Sequence, residues 1–160
     1  MIRPVQPSDA PHIALIYNDY INHTTISFET CPLSSEAMSD RITQISEKYP
    51  YFVYEIDGQV VGYCYASQWK KRDAYRHTVE STVYVDVAFQ GRGIGRALME
   101  RLIEELKIRS FHAIIDCITI PNPASTTLHE KLGFRQVSVF REVGYKFDRW
   151  LDVGDWELLL

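Results

Sequence analysis

The chain has little to cross-link, anchor or charge it. Its three cysteines, Cys31, Cys64 and Cys117, are odd in number, widely spaced and set in or beside apolar segments. That pattern excludes a disulfide frame or a cysteine metal site and predicts reduced, buried thiols. No apolar run is long enough to span a bilayer, and Met1-Ile2-Arg3-Pro4 enters a strand-like start without the apolar stretch of a secretory leader. A cytoplasmic protein with no membrane contact is expected. Long basic runs are absent too: 17 Lys and Arg stand against 21 Asp and Glu, for a net charge of -4. A nucleic-acid groove is therefore not the main function. His12, His23, His77 and His112 lack metal-ligand spacing, so no metal is expected. No repeat, linker or low-complexity stretch interrupts the 160 residues, 46% of them hydrophobic, and a single domain over 1–160 follows.

What is present alternates between strand and helix patterns. Ile2 to Val5 reads as a strand, and Ser8 or Asp9 as the cap of a helix carrying Ile13, Leu15, Ile16, Tyr17 and Tyr20. After a loop over 22–29, Ser34 or Ser35 caps a second helix running to about Lys48, where Pro50 prevents its continuing. Phe52–Ile56 and Val60–Ala66 are strands joined by the hairpin signal Asp57-Gly58. Thr78–Val87 is the longest strand candidate. Ile94, Leu98, Leu102 and Leu106 stripe a third helix, Ala113–Ile118 is a buried strand, and a fourth helix runs from about Pro123 to a stop at Gly133. Phe134–Val143 and a final run ending at Leu160 complete the set. The order predicts an α/β fold of mixed type: a twisted sheet of about seven strands with helices on both faces.

The most informative segment is Val85-Asp86-Val87-Ala88-Phe89-Gln90-Gly91-Arg92-Gly93-Ile94-Gly95-Arg96, a strand entering a glycine-rich turn that opens a helix. Such a turn lets backbone approach a ligand and aims free N–H groups, at the positive end of a helix dipole, toward an anion. A nucleoside-triphosphate loop would need Gly-Lys-Ser/Thr, which is missing, and a dinucleotide fingerprint would need glycine where Arg96 stands. Asp116, ending an apolar run as a ribose-binding acid would, keeps the dinucleotide reading in view. The pattern matched in full is Gln90-x-x-Gly93-x-Gly95, which resembles the pyrophosphate loop of the GNAT acyltransferases, users of acetyl-CoA.

Further segments narrow the resemblance. Trp69 to Val85, the N-terminal Ile2-Arg3-Pro4, the loop Thr24 to Glu29, Pro121 to Ser125 and Leu128-His129-Glu130-Lys131-Leu132-Gly133-Phe134 are similar to the phosphinothricin and methionine sulfone/sulfoximine N-acetyltransferases. The resemblance implies the GNAT fold, acetyl-CoA as co-substrate without a metal, a small amino-acid analogue acetylated on its α-amino group by direct attack, and a homodimer whose pocket borrows residues from the partner.

Acetyl transfer to an amine needs a base for the amine, stabilisation of the carbonyl oxygen and a proton for the leaving thiolate. Alternation along the 78–87 strand sets Thr78, Glu80, Thr82, Tyr84 and Asp86 on one face and Val79, Ser81, Val83, Val85 and Val87 on the other. Glu80 is the candidate base, a role its position also implies by resemblance; the alternative is a surface ion pair with Arg72, Arg76 or His77. Many GNAT enzymes carry a proton-donating tyrosine where this chain has His129, so His129 is the candidate acid with Tyr84 in reserve; the alternative for His129 is a helix-surface residue beside Glu130. Backbone groups of Val85 and Val87 are expected along the pantetheine arm, with Gln90, Gly91, Arg92, Gly93, Ile94, Gly95 and Arg96 at the pyrophosphate and Asn122 near the arm. Arg92 and Arg96 could equally be simply solvated. Lys70, Arg72, Tyr75, Thr78 and Phe28 are the candidate amine-site residues, the cations for a carboxylate and the rings for an apolar wall; the alternatives are a solvated charged loop for the cations and simple core for the rings. Two other functions fit the same fold: acetylation of a polyamine, antibiotic or protein N-terminus, and a non-catalytic acyl-CoA-binding module.

Overall fold

The computed structural model describes residues 1–160. Seven strands, β1 (Ile2–Pro4), β2 (Tyr51–Ile56), β3 (Gln59–Gln68), β4 (Thr78–Val85), β5 (Ala113–Ile120), β6 (Arg135–Lys146) and β7 (Arg149–Leu159), form one sheet in the order β1-β2-β3-β4-β5-β7-β6. The helices are α1 (Ala10–His23), α2 (Ser35–Ser46), α3 (Ile94–Ile108) and α4 (Pro123–Lys131), and none is long and apolar enough to cross a membrane. Every neighbouring pair is antiparallel except β4 and β5. That exception follows from the chain path, because α3 is the crossover that returns β5 alongside β4 in the same direction.

Local chemistry sets most boundaries. Ser34 Oγ accepts from the Ala37 amide at 3.1 Å and so starts α2. Asp57 and Gly58 both take positive φ, 49° and 80°, the geometry of a two-residue hairpin turn that matches strand twist. Asp9 is not the simple cap expected for α1. It accepts from the Gln6 amide at 2.8 Å and is gripped by both Arg3 terminal nitrogens at 2.8 Å, closing a short 3-10 turn that precedes the helix. β4 stops two residues before the predicted end because Asp86 Oδ1 captures the Ala88 amide at 2.9 Å and tightens residues 87–89 into another 3-10 turn.

Two apolar layers hold the sheet. The α3 stripe Ile94, Leu98, Leu102 and Leu106 packs with Val61, Ala66, Val79 and Ile114 on one face. Ile13, Ala14, Tyr17, Tyr20, Met38 and Ile42 of α1 and α2 pack with Tyr51, Val53 and Tyr63 on the other. Leu15, placed on the buried stripe from its spacing, is 70% exposed. The cysteine expectation holds only for Cys64, whose thiol donates to the Leu98 carbonyl at 3.3 Å; Cys31 and Cys117 are exposed.

The β4–β5 ladder is short. It pairs only Thr78–Glu80 with Ala113–Ile115, yet β4 continues to Val85 and β5 runs beside β7 to Ile120. Past Glu80 the two strands separate. The facing edge of β4 is left with backbone groups that no strand satisfies, and these must find other partners.

Candidate active site

The gap between β4 and β5 opens into a cavity of about 450 Å³. Its walls include Glu80, Ser81 and Tyr84 of β4, Asp116 and Cys117 of β5, Asn122, Ser125 and His129 at α4, and Ser27, Phe28 and Glu29 of the loop after α1. Of the candidates read from sequence, Glu80, Tyr84, His129, Asn122 and Phe28 therefore meet at one place.

Glu80 is half-buried where the ladder ends. Burial first, and then the like charges of Asp116 and Asp155, lift its carboxyl above the usual carboxylate range. No cation pairs with it, unlike the surface ion pair that its neighbours in sequence suggested: Arg76 binds Asp73 at 3.0 Å instead.

His129 is not at the helix surface; its exposure is 0%. Nδ1 lies 2.8 Å from the Ser125 carbonyl and Nε2 lies 2.9 Å from Asp116 Oδ2. The second contact is short but out of line for N–H···O, so Nε2 is buried without an aligned hydrogen bond. Burial pulls the imidazole pKa down, but the adjacent Asp116 carboxylate and the Ser125 carbonyl outweigh it and leave the pKa above its ordinary value. Ser81 Oγ donates to the same Asp116 oxygen at 2.8 Å, so one carboxylate links β4, β5 and α4 just past the last strand pair. Asp116 faces into this network, away from any ribose-binding role.

Tyr84 packs edge-on against Tyr17 and Tyr20, with ring centroids 5.1 and 4.8 Å away, and burial raises its phenol pKa well above the ordinary value. Asn122 caps α4, its Oδ1 accepting from the Ser125 amide at 3.2 Å.

At the glycine turn, Gly91 and Gly93 have φ of 74° and 79°, which a side chain would strain although open space surrounds both. Gly93 caps α3 with no side-chain acceptor, leaving the first-turn N–H groups free to meet an anion. Gly95 is already helical and Ile94, 4% exposed, anchors the turn in the core. Arg96 pairs with Glu100 at 2.8 Å and Arg92 stacks on Phe89 at 4.9 Å, both beside the turn. Gln90 reaches back to α1: its Nε2 donates to the Tyr20 hydroxyl at 2.8 Å, which donates to the Val85 carbonyl at 2.6 Å. The Asp86 amide turns to β3, donating to the Val61 carbonyl at 2.9 Å, so alternation turns the Val85 amide into the gap, whereas Val87 lies in the 3-10 turn beyond the strand.

Four candidates stand elsewhere. Lys70, Arg72, Tyr75 and Thr78 do not line the cavity. Lys70 Nζ sits 4.0 Å over the Trp69 ring, Tyr75 meets Trp69 edge-on at 5.2 Å, Arg72 is exposed, and Thr78 pairs with Ala113 at the start of β4. Sequence reasoning singled out none of Ser81, Ser125, Tyr17, Ser27 and Glu29 as site residues, and weighed Asp116 only as the ribose-binding acid of the dinucleotide alternative. No group of three or more His, Cys, Asp or Glu is arranged to hold a metal.

The sequence profile of the acetyltransferase (GNAT) domain matches residues 2–154. The chain is 38% identical to a phosphinothricin N-acetyltransferase of Streptomyces viridochromogenes, over 98% of this chain and 85% of the relative. It is 36% identical to the L-methionine sulfoximine/L-methionine sulfone acetyltransferase of Salmonella typhimurium, over 99% and 94%. An acetyltransferase structure from Salmonella typhimurium, solved with its cofactor acetyl-CoA, superposes with a TM-score of 0.97 at 35% identity, covering 100% of this chain and 93% of that one. A ribosomal-protein-alanine N-acetyltransferase structure from Brucella melitensis superposes at 0.98 with 34% identity, covering 100% and 99%. The interrupted parallel ladder, the helix without a side-chain cap behind a glycine turn and the profile match agree, and the chain belongs to the GNAT acetyltransferase family.

Proposed function

We propose that this enzyme transfers an acetyl group from acetyl-CoA to the α-amino group of a small amino-acid analogue of the phosphinothricin, methionine sulfone or methionine sulfoximine type, by direct attack in a ternary complex. The carrying observation is Glu80, an unpaired carboxylate in the β4–β5 gap whose proton affinity is raised by burial and by Asp116 and Asp155. A carboxylate tuned this way can take a proton from an ammonium and still be ionised near neutral pH. Bound acetyl-CoA supplies the activated thioester.

The chain's own groups have separable tasks. The free amides after Gly93, with Gly91, Arg92 and Arg96 beside them, suit a pyrophosphate, and the Val85 amide and the open β4 edge suit the amide-bearing arm that leads from it. Asn122 stands at the far side of the gap. His129, whose proton affinity Asp116 and the Ser125 carbonyl raise, is the proton source for the departing thiolate, and Tyr84 keeps its phenol proton in reserve. Glu80 and Tyr84 belong to one face of β4 and Ser81 to the other, so base and acid approach the gap from opposite sides.

A homodimer belongs to the same reading. The cavity is lined by Glu29, Glu80 and Asp116 but by no lysine or arginine, although a substrate carboxylate needs a cation. Lys70, Lys71, Arg72 and Arg76 are exposed, and Val137, Val139, Val143 and Trp150 of β6 and β7 present apolar side chains more than half exposed. A second copy covering that edge would bring the basic segment of one protomer, with Tyr75, toward the pocket of its partner. A cytoplasmic setting rests on the three free cysteines.

The test is thiol release from acetyl-CoA with methionine sulfone, methionine sulfoximine and phosphinothricin beside spermidine, an aminoglycoside and an alanine-initiated peptide. Turnover confined to the first three supports the reading. Turnover only on the peptide would instead place the chain with the alanine N-acetyltransferase it superposes on, and coenzyme binding with no turnover would leave an acyl-CoA-binding module. Mixing the impaired Glu80→Gln and Arg72→Ala variants should restore part of the activity if pockets are shared, and restore none if each protomer is self-sufficient.

A further inference from the structure

Lys146 is a lysine the reaction does not use, and its burial is costly. It is 5% exposed on β6, makes no ion pair, and has the Ser27 carbonyl as its hydrogen-bond acceptor, at 2.6 Å, with the Phe147 ring 5.0 Å away. Burying an ammonium with so few partners is unfavourable, and an apolar chain of similar length would pack there at less cost. Two residues earlier, Gly144 lies under the ring of Phe28. A Cβ at this position would fall 2.3 Å from Phe28 Cε2 and 2.4 Å from Cζ, inside any tolerable contact. Both oddities therefore touch the same two residues, 27 and 28, which are cavity walls.

The other side of that loop is tied to the helices. Ser27 Oγ donates to the Tyr17 hydroxyl at 2.9 Å, Tyr17 donates to Glu29 at 3.0 Å, and Arg41 of α2 holds the same Glu29 oxygen at 2.7 Å. Residues 27–29 are thus strung between α1–α2 and a strand more than a hundred positions away in sequence. On the α1–α2 side the ties end at Ser27 Oγ and Glu29. Lys146 of β6 holds the Ser27 carbonyl, and Gly144 of the same strand lies beneath the Phe28 ring.

We propose that Gly144 and Lys146 are specificity-determining positions of the amine pocket, acting from β6 through Ser27 and Phe28 to set which amine side chains the pocket admits. The proposal rests on the amine-acetylation reading for its substrate and on the loop geometry for its mechanism. Neither residue touches the reacting atoms, so both are positioning residues.

The experiment combines kinetics with amide hydrogen exchange on the full chain. Gly144→Ala must displace the Phe28 ring, and the KM for the best amine of the panel should rise on the order of tenfold while the KM for acetyl-CoA stays within about twofold. Phe28→Leu in the Gly144→Ala background removes Cε2 and Cζ, the two clashing atoms, and should recover much of that loss. Should Gly144→Ala fail to fold, Lys146→Met carries the test: exchange over 24–30 should accelerate while the 91–95 turn is unchanged. An unchanged amine KM in Gly144→Ala, no recovery in the double variant, or unchanged exchange over 24–30 in Lys146→Met would each overturn the proposal. Because exchange needs no turnover, a wild type that acetylates none of the amines would sink the amine reading while the loop mechanism was still judged.

Discussion

The two faces of the sheet are packed with different chemistry. On the α3 side the residues at 0% exposure are Val61, Val79, Leu98, Met99, Leu102, Leu106 and Ile114 beside Cys64 and Ala66, a layer that carries almost no polar atoms. On the α1–α2 side, four of the thirteen buried residues are tyrosines, Tyr17, Tyr20, Tyr51 and Tyr63, with Tyr65 and Tyr84 packed against them. A buried tyrosine has an apolar body and a hydroxyl that needs a partner. Tyr17 and Tyr20 find theirs at the edge of the site, in Ser27, Glu29, Gln90 and the Val85 carbonyl. The aliphatic face holds the sheet together, whereas the tyrosine face also fixes the loops that wall the cavity.

The contrast can be broken at several depths. Glu80→Gln, on the tyrosine side, should lower kcat by about 10²- to 10⁴-fold, the usual size of a lost general base, and abolish the acid limb of the pH–rate profile. The same variant should melt at a higher temperature at neutral pH. The folded carboxyl has a raised pKa, so its contribution to stability is complete below the ordinary carboxylate value and is lost as pH rises through the folded one. Parallel melts of variant and wild type should therefore converge in acid, and a gap that persisted there would refute the account.

On the aliphatic side, Leu102→Ala should cost about 2–5 kcal/mol in a denaturant titration and leave the pH profile of the remaining folded enzyme where it was. A displaced profile would mean that the α3 layer shapes the site after all. Asp116→Asn probes the junction of the two faces. It removes the like charge that raises Glu80 and the opposite charge that raises His129, so both limbs of the profile should move to lower pH together. Movement of one limb alone would unseat the residue assigned to the other. Smallest is Tyr20→Phe, expected to cost about 0.5–1.5 kcal/mol of stability and to raise the KM for acetyl-CoA severalfold with the amine KM unchanged, because the hydroxyl ties Gln90 and Val85 to α1.

Much of the fold was legible because it rests on local rules. The 3.6-residue stripe of α3, the Asp57-Gly58 turn and the Ser34 cap each need only a few neighbouring residues, and each appears where the pattern predicts. The β6–β7 hairpin was harder. Its turn places Phe147 and Asp148 at φ of 51° and 57° with no glycine to signal it, and a bulge near Glu142 shifts the register. In the site, period-two alternation set Glu80 and Tyr84 on one face, but nothing near Asp116 in sequence indicated that it would meet Ser81 and His129. Phe28 was a candidate wall residue, yet its seat on Gly144 depends on two segments brought together by the whole sheet. Lys70 and Arg72 were singled out because their segment leads to Glu80, and adjacency in sequence did not become adjacency at the cavity.

By itself, the sequence determined the elements, the anion-ready turn at 91–95 and the family resemblance, since periodicity, caps and glycine spacing are encoded over a handful of consecutive residues. Only the tertiary structure decided where the ladder between β4 and β5 ends, and with it the burial of His129, the raised proton affinity of Glu80 and the tether of residues 27 and 28 to β6. Burial and charge proximity are sums over neighbours from distant parts of the chain, and they exist only once the chain has folded.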